Sequence, residues 1–177
     1  AWKTFPESEQ LPRAHRVIVY KSAKYSIEAP LTIGAALGGG NAESLAALRA
    51  FGLPLGIAYQ LRDDVLGVFG DTAVTGKPSG DDLREGKRTV LVALARAALP
   101  SNAVTLFDEL LGDRELSDLQ VRALQDTIRE SGAVDDVERI IERNVELAKN
   151  SLRDAVITPS ARHQLLALAD SAITRTA

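Results

Sequence analysis

An all-α fold is what this sequence predicts, on three observations. Apolar residues recur at spacings of three and four, Ala and Leu are abundant, and alternating β-branched runs are scarce. The first helix is predicted from about Arg13 to Leu37, kinked at Pro30 and stopped by Gly38-Gly39-Gly40. Asn41 then caps a second helix reaching about Phe69, with Pro54 inside it.

Residues Gly70 to Asp82 are dense in turn formers and read as a mobile loop. Helical pattern resumes near Leu83 and ends at Pro100, after which Ser101 caps a short helix closed by Gly112. Ser117 and Gln120 form a capping box for the next helix, which Gly132 ends. Asp135 with Glu138 opens a long helix to about Ala155, and Thr158-Pro159, a cap followed by proline at the first helical position, opens the last. No repeat, low-complexity tract or linker interrupts the chain, so residues 1–177 are expected to form one domain.

Composition excludes several function classes. The 177 residues are 45% hydrophobic and 25% charged, the balance of a globular domain with a sizeable core. A net charge of -3 and the absence of any Lys/Arg block argue against nucleic acid and membrane surfaces as partners. The longest apolar stretch, Thr89 to Leu99, is too short to span a bilayer and contains Arg96. With no cysteine there is neither a disulfide nor a thiolate metal site, in keeping with a cytoplasmic protein.

The chemistry concentrates in Tyr59-Gln60-Leu61-Arg62-Asp63-Asp64-Val65-Leu66-Gly67. Adjacent carboxylates in an apolar helix are costly to bury unless a cation neutralises them, and at a helix C-terminus they also face the negative pole of the helix dipole. Hard oxygen ligands, few in number, suit Mg²⁺ that takes its remaining ligands from water and phosphate. Gly52, Gly56, Gln60, Asp64 and Gly67 follow one stripe, which lets a neighbour approach the backbone closely. Lys21 and Lys24 share a face of the first helix with Tyr25 and Glu28, Lys77 lies in the loop after the acids, and Lys87-Arg88 follows. Together with Asp63 and Asp64 these lysines could clamp a diphosphate and stabilise it as it departs. His15 and His163 are too isolated for a zinc site, and neither a serine nucleophile elbow nor a nucleotide-binding loop occurs.

These residues resemble the trans-isoprenyl diphosphate synthases, the head-to-tail prenyltransferases that make farnesyl, geranylgeranyl and longer polyprenyl diphosphates. Lys21-Ser22-Ala23-Lys24-Tyr25 with Pro30 and Gly34-Ala35 is similar to the family's Lys-Thr helix, and Tyr59-Gln60 with Asp63-Asp64 to its second aspartate-rich motif. Thr75-Gly76-Lys77, Gly80-Asp81-Asp82-Leu83 and Glu85-Gly86-Lys87-Arg88-Thr89 resemble the lysine-bearing segment that follows, and Glu130-Ser131-Gly132-Ala133 is also familial.

The resemblance implies an isoprenoid synthase-type helical bundle, a homodimer, and allylic and isopentenyl diphosphates as substrates. Asp63 would ligate Mg²⁺, with Asp64 in support; Lys21, Lys77 and Lys87 would hold the allylic diphosphate; Ser22 and Gln60 would stabilise the carbocation. Two positions depart from the pattern: Ser22 replaces the usual threonine, and Gly67 stands where the second motif has its last aspartate. Asp71, a turn further on, has the charge but is expected to reach a different ligand. The first aspartate-rich motif has no counterpart in Ala1 to Leu37. The chain is therefore expected to be the C-terminal portion of a synthase lacking the N-terminal helices, inactive alone. A non-catalytic partner subunit and a class I terpene cyclase are the alternatives. Product chain length is not legible, because the resemblance assigns it mostly to residues near the absent motif, and neither is the preferred allylic primer.

Overall fold

The computed structural model describes residues 6–76 and 78–174, and all regular structure among them is helical. Helix α1 spans Glu7–Val17, a π-helical segment Ile18–Glu28, α2 Ala29–Leu37 and α3 Ala42–Phe69. Two one-turn helices follow, α4 at Thr72–Thr75 and α5 at Asp81–Arg84. The remainder are α6 Val90–Ala98, α7 Ser101–Leu110, α8 Asp118–Glu130, α9 Ala133–Ser151 and α10 Pro159–Thr174.

Several boundaries differ from the sequence expectation, each for a local or tertiary reason. The first helix begins at Glu7 rather than Arg13, despite Pro12 inside it. The buried Gln10 holds this added length by accepting a hydrogen bond from Arg96 Nη1 at 3.4 Å. At Pro30 there is a change of winding: the π-helical segment closes with Ala29 N–H donating to the Lys24 carbonyl, five residues back. Pro30 has no N–H to donate to that ladder, and α-winding resumes with it in the first turn of α2.

The stretch read as a loop contains α4 and α5. Its turn formers act as caps: Asp71 accepts from Ala73 N at 2.9 Å, and Gly76 ends α4 at φ 69°. The helix expected from Leu83 to Pro100 starts at Val90, capped by the Thr89 hydroxyl. Gly86 breaks the run: at φ 67° it lies so close to Gly112 that an added Cβ would stand 2.7 Å from the Gly112 Cα. The N-cap of α7 is Pro100, and Ser101 is its first helical residue. Helix α9 begins directly after Gly132 rather than at Asp135, and stops at Ser151, short of Ala155. There Arg162 of α10 donates to the carbonyls of Leu152 at 2.6 Å, Ala155 at 2.8 Å and Arg153, giving partners to acceptors that lie beyond the last turn of α9. The Asn41 cap, the Ser117/Gln120 capping box and the Thr158 cap stand as expected.

The described residues group into two compact units, one of 6–15 and 63–138, the other of 16–62 and 139–174. Helices α3 and α9 contribute residues to both. The first unit buries Leu83, Leu91, Phe107, Leu124 and Ile128; the second buries Ala23, Phe51, Leu55, Ile141 and Leu152. In the first, Arg96 makes a bidentate pair with Asp108, Nε lying 2.9 Å and 3.1 Å from the two carboxylate oxygens. No helix among the described residues is long and apolar enough to cross a membrane.

Candidate functional site

The sequence-predicted site residues fall in both units. In the second unit, Lys21 and Ser22 lie on the π-helical segment and Gln60 on α3. The Ser22 hydroxyl donates to Gln60 Oε1 at 2.6 Å, across 38 residues of sequence. Glycines make this approach possible. A Cβ on Gly56 would stand 2.5 Å from Ala23 Cα, and one on Gly52 would stand 2.9 Å from Glu28 Cα, so the segment rests on the bare backbone of α3. With its proton committed to Gln60, the Ser22 oxygen presents lone pairs elsewhere, which is what a hydroxyl needs to face a cation. Lys21 is exposed, and Lys24 lies over the Tyr20 ring with its ammonium 5.3 Å from the centroid.

In the first unit, Asp63 is partly exposed while Asp64 is buried, 2% exposed. The Lys87 ammonium reaches Asp64 Oδ1 at 3.0 Å and Asp82 Oδ2 at 2.9 Å. Burial opposes the charge on Lys87, but the fields of Asp64 and Asp82 and their hydrogen bonds outweigh it, holding its pKa above the usual lysine value. Lys77 lies outside the described residues. Asp71 caps α4 and is exposed.

Asp82 is the participant that reasoning from the sequence did not single out. Its carboxylate covers Gly67, where an added Cβ would stand 2.3 Å from Asp82 Oδ2. The available signal was the glycine in an acidic motif, with an unassigned Asp81-Asp82 pair downstream. Among the described residues no three His, Cys, Asp or Glu side chains gather as a complete metal site. Mg²⁺ bound with phosphate needs only one or two protein carboxylates, a number that the partly exposed Asp63 and its neighbour Asp64 can supply.

The site residues thus fall into two groups, Asp64 with Asp82 and Lys87 in one unit and Ser22 with Gln60 in the other, all on helices or the turns between them. Residues 2–128 match the family model described as polyprenyl synthetase, and the chain belongs to that family. It is 37% identical over 142 residues to the geranylfarnesyl diphosphate synthase of Aeropyrum pernix, covering 80% of this chain and 43% of that protein. The geranylgeranyl diphosphate synthase of Methanosarcina mazei is 33% identical over 173 residues, covering 98% of this chain and 50% of that protein. A similar solved structure is geranylgeranyl pyrophosphate synthase from Corynebacterium glutamicum complexed with isoprenyl diphosphate and magnesium. It has a TM-score of 0.89 and 41% identity, over 94% of this chain and 47% of that one. The chain thus spans about half the length of these relatives.

Proposed function

We propose that this chain carries part of the active site of a head-to-tail prenyltransferase, which condenses an allylic diphosphate with isopentenyl diphosphate. The Ser22–Gln60 hydrogen bond carries this reading, because it brings together two residues whose separate family motifs are assigned one task. In the reaction the allylic C–O bond breaks with its electron pair leaving on diphosphate. The isopentenyl double bond attacks the allylic cation, and a proton is lost to the released diphosphate. Lys21 and Lys77 hold diphosphate oxygens, while the Ser22 oxygen and Gln60 face the cation. Asp63, backed by Asp64, would hold Mg²⁺, which when bound would supply neutralising charge for the departing diphosphate. We assign the whole protein to the cytoplasm as a homodimer.

The test is calorimetric titration of the chain with inorganic diphosphate, with and without Mg²⁺. Binding is expected to require both, and Asp63→Asn is expected to weaken it roughly tenfold or more, a loss of about 1.4 kcal/mol or more. Metal-independent binding, or an Asp63→Asn variant that binds like the wild type, refutes the assignment. The chain alone is expected to form negligible prenyl product from geranyl and isopentenyl diphosphates; measurable turnover refutes that expectation.

A further inference from the structure

Resting on the assignment of Asp63 and Asp64 to that site, we propose that Asp82 and Lys87 are positioning residues for the acid pair. Asp82 occupies the space that a side chain at position 67 would fill, and Lys87 is a built-in cation that locks Asp64 to Asp82.

Three observations meet here. First, Gly67 follows Asp64 by one turn of α3, and any Cβ there would stand 2.3 Å from Oδ2, 2.4 Å from Cγ and 2.9 Å from Oδ1 of Asp82. The obstacle is a carboxylate tethered by an ion pair, so it cannot swing aside cheaply. An aspartate at position 67 and the observed Asp82 side chain exclude one another, and the acid that the second motif lacks is delivered from α5.

Second, Asp64 and Asp82 are both buried, and a buried carboxylate is tolerated only when paired. Lys87 supplies one ammonium to both. For Lys87 to clamp a substrate diphosphate instead, it would have to abandon two buried carboxylates, at several kcal/mol for each ion left uncompensated. Third, the main chain aims Lys87 at this task. Its N–H donates to the Asp82 carbonyl at 2.9 Å, and Gly86 turns the chain at φ 67° against Gly112.

Thermal unfolding of Lys87→Met, Asp82→Asn and the double variant, without metal or diphosphate, tests the lock. Lys87→Met is expected to lower the midpoint by roughly 6–20 °C, and adding Asp82→Asn to recover at least about half of that loss. Gly67→Asp is expected to destabilise, and Gly67→Asp with Asp82→Gly to regain stability because the acid has been returned to α3. Additive losses in the Lys87/Asp82 cycle, or a Gly67→Asp variant as stable as the wild type, overturn the proposal.

Titration with inorganic diphosphate and Mg²⁺ separates positioning from direct contact. At saturating Mg²⁺ the Lys87→Met/Asp82→Asn variant is expected to bind diphosphate within about threefold of the wild type while requiring roughly tenfold more Mg²⁺ to do so, because the acid pair is no longer held; an unchanged Mg²⁺ requirement overturns the positioning role. A recovered fold with binding lost more than about tenfold makes Lys87 a substrate ligand and overturns the proposal. If the wild type binds no diphosphate, the assignment under Proposed function falls, while the unfolding cycle still decides the lock.

Discussion

Replacing Gly56 by alanine should destabilise the chain, although alanine is the better helix former. The new Cβ would lie 2.5 Å from Ala23 Cα, 2.8 Å from Ala23 Cβ and 3.1 Å from Ala23 O. Carbon atoms pack comfortably at about 3.5–4.0 Å, so the π-helical segment must withdraw from α3 by roughly 1 Å. Overpacking costs about 1–3 kcal/mol, and an obstacle made of backbone puts this case toward the upper end. Withdrawal also stretches the 2.6 Å Ser22–Gln60 hydrogen bond, worth about 1 kcal/mol. Alanine returns about 0.8–1.0 kcal/mol in helix propensity. The net loss is about 2–3 kcal/mol, or roughly 4–12 °C in midpoint for a chain of this length. Urea unfolding followed by circular dichroism measures it. Gly34→Ala is the control: it lies in α2 with nothing within 4 Å of its added Cβ, and should be neutral or stabilising by up to about 1 kcal/mol. A Gly56→Ala variant as stable as the wild type would refute close approach as the reason for the glycine.

Three further outcomes follow from contacts away from this seam. Asp108→Ala leaves the largely buried Arg96 guanidinium with only the Gln10 amide oxygen at 3.4 Å and the Glu7 carboxylate at 3.9 Å, and should cost about 3 kcal/mol in urea unfolding, much of it recovered by adding Arg96→Met. Ser117→Ala removes the capping box of α8 and should cost about 1 kcal/mol, with faster amide exchange in the first turn of that helix. The hydrogen bond to Asp170 raises the pKa of Lys149 against a smaller opposing effect of burial. The pair therefore contributes fully below the unfolded lysine value of about 10.4 and is lost as pH rises through the higher folded value. Because Asp170 is exposed, Lys149→Met should cost less than about 1 kcal/mol near neutral pH, with the difference fading at strongly alkaline pH and in high salt.

Much of the helical order was legible in the sequence, because the signals were local. Asn41, Ser117 with Gln120, and Thr158-Pro159 each satisfy backbone donors within a few residues of themselves. The boundaries that shifted depend on distant groups: Gln10 meets Arg96, Gly86 meets Gly112, and Arg162 caps the carbonyls after α9. Those partners leave no periodic trace.

The candidate site divides the same way. By itself the sequence determined that carboxylates, lysines, a hydroxyl and an amide occur in family order on helices, since residue type and short spacing are enough to say so. Only the tertiary structure decided which of them touch. It joined Ser22 to Gln60 over bare glycine backbone, and set Asp82 in the space left at Gly67 with Lys87 between the two buried acids. The physical reason is that burying a charge requires a partner at hydrogen-bond distance, and which residue comes within that distance depends on how the helices pack.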